Sequence, residues 1–132
     1  MQFGIIGSGS WATALVKLLT DNKHKVGWCV RSDQIVKHLK QRHHNPGYLS
    51  SVYFDTAYLE LDTDVSKTIT ANDHIIIAVP SAYIRETLQP LGKNAFAGKK
   101  VISAVKGILP EDNLLLNEYL HKEYDLRLTD YF

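Results

Sequence analysis

Short runs of apolar residues alternate along this chain with stretches whose apolar positions recur at helical spacing. The apolar runs have the length of strands, and this alternation is typical of a parallel sheet with helices on both faces. The sequence therefore predicts an α/β fold with a doubly wound, mostly parallel sheet. Strands are expected at residues 2–6, 25–30, 75–79 and 100–104, and helices at residues 11–20, 33–41, 81–88 and 111–122.

The third expected strand, residues 75–79, contains no polar residue, which predicts a central strand covered on both faces. The later helices each have a residue suited to their start. Ser32 or Asp33 can cap the second helix, and Ser81 can cap the third. Pro110 suits the first turn of the last helix.

Residues 43–63 give mixed signals, with a turn marked by Asn-Pro-Gly at residues 45–47 and scattered apolar side chains around it. We expect an ordered excursion that contains one short strand. Asp62 and Asp64 are interpreted as turn and cap residues.

Length and composition limit the possible function. A chain of 132 residues is long enough for one domain, here residues 1–132, but short for a typical two-domain enzyme. Fifteen basic and fourteen acidic residues leave no field that would attract nucleic acid or an anionic membrane. No targeting pattern or run of membrane-spanning length is visible, which favours a cytoplasmic protein with no integral membrane segment.

The last residues, 126–132, resemble the approach to a further strand, and the chain stops on two aromatic residues. Polar residues are more usual at a natural terminus. This pattern favours a fragment of a longer protein.

A glycine-containing turn, residues 7–12 (the Gly turn), joins the first expected strand to the first expected helix. Its G-x-G-x-x-A pattern in this context predicts a dinucleotide site. Gly7 permits the tight turn, Gly9 lets backbone N–H groups approach a pyrophosphate, and Ala12 allows close packing of helix on strand. The phosphates would lie at the helix N-terminus. The alternative is an ordinary glycine-rich turn.

Arg31 follows the second expected strand, where a dinucleotide fold places the residue that contacts the adenosine ribose. With Ser32 beside it, Arg31 offers donors to a 2′-phosphate, which favours NADP over NAD. Asp33 is the alternative contact, an acidic partner of a free 2′-hydroxyl, although a helix cap suits it better. A solvated loop cation is the alternative for Arg31.

Two further strands end in residues that suit a ligand site. Pro80 and Ser81 follow the third strand, and Lys106 with Gly107 follows the fourth. Ligands of open α/β sheets bind at this carboxyl edge. The alternatives are a strand stop with a helix cap at Pro80 and Ser81, and a solvated lysine at Lys106.

Other reactive residues are interpreted as structural. Cys29 is expected to be a buried strand thiol, because nothing nearby would stabilise a thiolate. His43 and His44, with His38 upstream, raise a metal hypothesis but lack the spacing and carboxylate partners of such a site. Trp11 is either a core residue or a cofactor contact.

Four motifs in order resemble NAD(P)-dependent glycerol-3-phosphate dehydrogenase. They are G-S-G-S-W-A-T-A at residues 7–14, N-P-G-Y-L at 45–49, A-V-P-S at 78–81 and S-A-V-K-G-I at 103–108. The resemblance covers nearly the whole chain and is most specific in the combination. Ala12 departs from it, because the family usually has glycine there. The implied fold is a Rossmann-like dinucleotide-binding domain.

The resemblance implies reversible hydride transfer between the nicotinamide C4 and C2 of dihydroxyacetone phosphate, which gives sn-glycerol 3-phosphate for phospholipid synthesis. Ser10 and Trp11 match contacts at the pyrophosphate, Arg31 matches the adenosine-phosphate contact, and Lys106 matches a residue that touches both cofactor and substrate. Ser32 and Pro80 complete the expected cofactor contacts. The expected cofactor is NADP, with NAD as the alternative.

The family also has a mostly helical second domain, which carries a lysine that acts as general acid and base and the residues that hold the substrate phosphate. This chain stops before any of that, so it is interpreted as the N-terminal coenzyme-binding domain, inactive alone, of a parent implied to be a homodimer. The alternatives are the coenzyme domain of another dehydrogenase of similar architecture and a stand-alone NAD(P)-sensing module.

Overall fold

The computed structural model describes residues 2–132 and contains a five-stranded, all-parallel sheet in the order β3-β2-β1-β4-β5. This confirms the predicted α/β fold. The strands are β1 (Phe3–Ile6), β2 (Val26–Cys29), β3 (Leu59–Asp62), β4 (His74–Ile77) and β5 (Lys100–Ser103). The helices are α1 (Ser10–Asp21), α2 (Asp33–Arg42), α3 (Val65–Thr70), α4 (Ile84–Leu88) and α5 (Leu116–Tyr124).

β1 lies at the centre of the sheet, between β2 and β4. The register pairs Ile6 with Cys29 on one side and with Ile77 on the other, and Ile77 in turn pairs with Ser103. Four strands therefore end level. The residues that follow them lie along one carboxyl edge, where open α/β sheets bind ligands.

Helices cover both faces of β4, as its apolar sequence predicts. Ile75 and Ile77 belong to a buried cluster with side chains of α3, α4 and α5. Ile76 belongs to a second cluster with side chains of α1 and α2, including the fully buried Leu39. The alternation of Ile side chains in one strand thus joins two cores, as expected of a doubly wound sheet.

Of the predicted helix caps, Ser32 is confirmed and Ser81 needs correction. Ser32 is the cap of α2, and its Oγ accepts a hydrogen bond from the Ile35 N–H at 3.4 Å, so Asp33 lies in the first turn instead. Ser81 does not cap a helix with its side chain. It begins a 3₁₀ turn, Ser81–Tyr83, and α4 follows only after Tyr83 leaves helical geometry at φ −109° and ψ 3°.

The last helix begins at Leu116, so the prediction of a helix from residue 111 with Pro110 in its first turn is wrong. Glu111 and Asn113 have φ values of 56° and 55°, in the left-handed region that a right-handed helix excludes. The chain turns there, and the Leu109 N–H donates to the Leu114 carbonyl at 2.7 Å.

The segment 43–63 contains one short strand, β3, as predicted, and the helix α3 after it was not predicted. Asp64 caps α3 by accepting from the backbone N–H groups of Ser66 and Lys67. Asp62 accepts from the Thr63 and Asp64 N–H groups. The turn and cap roles of both carboxylates are confirmed.

The last residues begin to pair beside β5, as the sequence of residues 126–132 predicts. Tyr131 forms a parallel bridge with Val101, and the Phe132 N–H donates to the Val101 carbonyl at 2.8 Å. Asp130 anchors this end, because its carboxylate pairs with Lys100 and with Arg127. No helix in residues 2–132 is both long and apolar enough to span a bilayer.

Acid should weaken this anchor. Hydrogen bonds from Lys100 and Arg127 hold the pKa of Asp130 below its usual range. The stabilisation is therefore complete above the unfolded pKa and is lost as the pH falls through the folded pKa. We expect urea unfolding of wild type to become easier between about pH 5 and about pH 3, and Asp130→Asn to lose part of that dependence. Equal pH dependence in both proteins would contradict this assignment.

Candidate functional site: the Gly turn at the carboxyl edge

The Gly turn connects β1 to α1 at the middle of the sheet's carboxyl edge. Gly7 adopts φ +127°, which side-chain-bearing residues rarely adopt, and a Cβ at Gly7 would overlap the carbonyl oxygen of Ala78. Its N–H donates to the Cys29 carbonyl at 3.1 Å. The close approach of the turn to the end of β4 therefore requires glycine at this position.

Gly9 has a different role. It precedes α1 with an ordinary φ of −79°, and a Cβ there would meet no atom within 4 Å. The folded chain itself therefore does not require glycine at this position. The open space beside Gly9 is what a pyrophosphate needs for close approach to the backbone, so the residues present fit a dinucleotide.

The backbone donors beside this space are unused. Within residues 2–132 the N–H groups of Gly9, Ser10, Trp11 and Ala12 donate to no acceptor, and no side chain caps α1. Unpaired N–H groups and the positive end of the helix dipole make such a helix start an anion site.

The first three carbonyl groups of the same turn accept hydrogen bonds from side chains. Trp28 Nε1 donates to the Gly7 oxygen at 2.7 Å, and Asn45 Nδ2 donates to the Ser8 oxygen at 3.1 Å. Thr13 Oγ1 donates to the Gly9 oxygen at 2.6 Å. The turn is thus held from its carbonyl side, while the N–H groups of residues 9–12 remain available.

Two residues of the Gly turn pack in opposite ways. Ala12 is fully buried in the cluster between α1 and the sheet, as close helix packing requires. Trp11 is 60% exposed, so its interpretation as a core residue is wrong.

Arg31 lies just beyond the carboxyl end of β2 and is exposed. It makes no hydrogen bond or ion pair with the part of the chain that the structure describes. Asp33, the alternative acidic contact, is exposed in the first turn of α2. Arg31 is therefore available to bind an anion.

Pro80 and Lys106 lie at the same edge, because the Ala104 N–H donates to the Ile77 carbonyl and keeps the ends of β4 and β5 side by side. Both residues are exposed, and Lys106 pairs with no carboxylate among the described residues. Gly107, at φ +79°, lets the chain turn directly after Lys106. The predicted residues thus share one edge of the sheet.

Comparison with known proteins agrees with this geometry. The family model of the NAD-dependent glycerol-3-phosphate dehydrogenase N-terminus matches residues 2–128. The chain belongs to this family. A glycerol-3-phosphate dehydrogenase [NAD(P)+] of Bacillus pumilus is 30% identical over 119 residues, which are 90% of this chain and 34% of that protein. One from Oceanobacillus iheyensis is 32% identical over 131 residues, covering 98% of this chain and 37% of its own.

A solved structure of a glycerol-3-phosphate dehydrogenase is also similar to this chain. The glycerol-3-phosphate dehydrogenase of Coxiella burnetii superposes with a TM-score of 0.83 at 25% identity, over 95% of this chain and 38% of that one. The chain therefore spans about a third of the length of the curated relatives it matches.

The structure also places the cysteine and the histidines that the sequence raised as candidates. Cys29 is buried as predicted, and burial raises the pKa of its thiol to about 11, so the thiol stays protonated near neutral pH. The rings of His38 and His44 pack edge to face, with 4.6 Å between the ring centroids. Within residues 2–132 no group of three or more histidine, cysteine or carboxylate side chains is arranged to hold a metal ion.

A cavity of about 530 Å³ lies away from the Gly turn, between α4 and α5. Its Arg85 pairs with Glu111 and Asp112 and lies over the ring of Tyr119 at 4.7 Å. Because two carboxylates already pair with Arg85, this cavity is a weaker candidate for binding an anion than the start of α1.

Sequence reasoning missed the side chains that hold the turn. It interpreted Asn45 as the start of an Asn-Pro-Gly turn and as part of the N-P-G-Y-L motif, and it gave Trp28 no role. The structure buries both, with 1% and 0% of their surfaces exposed. An asparagine inside a family motif was the available signal, but its partners lie in another element.

The two glycines should respond oppositely to alanine. Gly7→Ala would force an alanine into a positive φ and bring its Cβ into collision with the Ala78 oxygen. We therefore expect a loss of at least about 2 kcal/mol in the free energy of unfolding. Gly9→Ala would cause neither strain nor collision. It should lower the free energy of unfolding by less than about 1 kcal/mol, mainly because alanine is a poorer helix cap than glycine. Urea unfolding of both variants measures the difference, and equal losses would contradict the division of roles.

Proposed function

We propose that this chain is the coenzyme-binding domain of a glycerol-3-phosphate dehydrogenase and that it binds NADP(H) at the Gly turn. The observation that carries the proposal is the set of unpaired N–H groups at the start of α1 beside the open space at Gly9. Membership of the family supports it.

The pyrophosphate would accept hydrogen bonds from the N–H groups of residues 9–12. Backbone donors suffice here, because the helix dipole adds its positive end at the same place. The hydroxyl of Ser10 and the exposed indole of Trp11 would contact the cofactor around these phosphates. Gly9 would keep the approach open.

NADP is preferred in this proposal because of Arg31. A guanidinium without a partner at the end of β2 offers two parallel donors to a 2′-phosphate and a flat surface for adenine. Ser32 adds a hydroxyl donor while its Oγ caps α2. A carboxylate, which would accept from a free 2′-hydroxyl, does not occupy the position of Arg31.

Pro80 and Lys106 would form the nicotinamide side of the site. The coenzyme supplies a hydride from its C4 to C2 of dihydroxyacetone phosphate, and a proton added to the ketone oxygen completes sn-glycerol 3-phosphate. The ammonium of Lys106 would contact both cofactor and substrate, and Gly107 would let the backbone approach them.

The rest of the parent would complete the reaction. The relatives are about three times as long as this chain, and we propose that their further length supplies a helical domain with the proton-transferring lysine and the residues that hold the substrate phosphate. A homodimeric, cytoplasmic parent belongs to the same proposal. By itself the chain would bind coenzyme and leave dihydroxyacetone phosphate unreduced, because the Lys106 contact alone would neither fix the ketone beside the nicotinamide nor supply the proton.

The proposal predicts tighter binding of NADPH than of NADH, measured by nucleotide fluorescence on the purified chain. Arg31→Ala should weaken NADPH binding about tenfold, because the 2′-phosphate contact is removed, and should weaken NADH binding much less, because NADH loses only the adenine contact. Arg42→Ala, an exposed arginine in the last turn of α2, is the matched control and should change neither.

Three results would contradict parts of the proposal. If wild type binds neither nucleotide, the Gly turn is not a coenzyme site in this chain. If Arg31→Ala weakens both nucleotides equally, the guanidinium does not recognise the 2′-phosphate. Enzyme-like reduction of dihydroxyacetone phosphate by the chain alone would contradict the assignment of proton transfer to the rest of the parent.

A further inference from the structure

Asn45 is buried in a stretch that is otherwise at the surface. Only 1% of its surface is exposed, whereas residues 46–51 are all exposed. A buried amide is costly unless its donors and acceptor find partners. The partners of Asn45 therefore indicate what keeps it inside.

The partners lie on the Gly turn. Asn45 Nδ2 donates to the Ser8 carbonyl at 3.1 Å and to Thr13 Oγ1 at 2.9 Å. Thr13 Oγ1 in turn donates to the Gly9 carbonyl at 2.6 Å. Asn45 Oδ1 accepts from the Gly47 N–H at 3.0 Å, so this part of the amide alone serves the local turn.

These bonds act on two peptide groups. A trans peptide is planar, and its N–H points opposite to its C=O. No cis peptide occurs in the described chain. Holding the Ser8 carbonyl toward Asn45 therefore turns the Gly9 N–H outward, and holding the Gly9 carbonyl toward Thr13 does the same for the Ser10 N–H. These are two of the unused donors beside the open space at Gly9.

We infer that Asn45 is a positioning residue, which acts through Thr13 and the Ser8 and Gly9 carbonyls to aim backbone donors at the coenzyme pyrophosphate. The inference rests on the proposed function. Preorganised donors raise affinity because the ligand does not have to order them on binding. The segment after α2 is then a part of the nucleotide site, although Asn45 itself does not touch the ligand.

The segment has other anchors, so removing Asn45 should leave it folded. Phe54 is fully buried against Trp28, and its N–H donates to the His43 carbonyl at 2.8 Å. Lys17 Nζ donates to the Tyr53 carbonyl at 2.7 Å. These contacts close the excursion independently of the Asn45 amide.

The test compares two buried asparagines in the chain as it stands. Asn45→Ala should weaken NADPH binding about tenfold in a fluorescence titration, because the Ser8 carbonyl loses the donor that turns the Gly9 N–H outward and the Thr13 hydroxyl loses a donor that orients it. Asn72→Ala is the matched control. Asn72 is 7% exposed and donates to the Thr68 carbonyl at 2.7 Å, beneath α3. It should lower the melting temperature and leave the NADPH dissociation constant within about twofold of wild type.

Thr13 provides a second variant if Asn45→Ala does not fold. Thr13→Val keeps the side-chain volume and removes the hydroxyl, so it should weaken NADPH binding in the same direction, while Thr13→Ser should restore most of it. The double variant Asn45→Ala, Thr13→Val should bind about as weakly as the weaker single variant, because both act in one network.

The outcomes separate failure of this inference from failure of the proposed function. If wild type binds NADPH and neither Asn45→Ala nor Thr13→Val weakens binding more than Asn72→Ala does, the inference is wrong and the proposed function stands. If wild type itself does not bind, the proposed function fails, and this inference fails with it. Equal weakening by Thr13→Val and Thr13→Ser would also overturn it, because the hydroxyl would then not be what matters.

Discussion

The structure depends on the parallel pairing of β1 with β2 on one side and β4 on the other. Ile6 is in register with both Cys29 and Ile77, so three strands end together in the middle of the sheet. The chain must then leave β1 directly against the end of β4, and only glycine at position 7 fits that passage. The place of the Gly turn, and of the helix dipole that follows, is set by strand pairing.

The same turn combines a rigid side with an open one. The carbonyls of residues 7–9 accept hydrogen bonds from side chains of β2, of the 43–63 segment and of α1, while the N–H groups of residues 9–12 donate to no acceptor in the described chain. Such an arrangement costs little when a ligand binds, because the donors are already in place. Under the proposed function, stability and coenzyme binding would use opposite edges of the same few peptide groups.

The strong periodic features of the sequence predicted the fold well. The apolar runs placed four of the strands, and the glycine pattern placed the turn before α1. The helix α3 was missed because six residues are too few to show a helical period. The start of α5 was misplaced because left-handed geometry at Glu111 and Asn113 is not visible in polar residues that also suit a helix start.

The site was only partly predictable for a similar reason. The roles of Gly7 and Ala12 follow from a local motif, and the structure agrees with them. Asn45 acts on partners 37 and 32 positions away, so its burial depends on tertiary contacts that no local pattern displays.

The most direct measurement is a titration of the ¹⁵N-labelled chain with NADPH, following each backbone amide by NMR. The account predicts saturable shifts that are largest at Gly9, Ser10, Trp11 and Ala12. Shifts concentrated at the cavity around Arg85, or none that saturate, would contradict it.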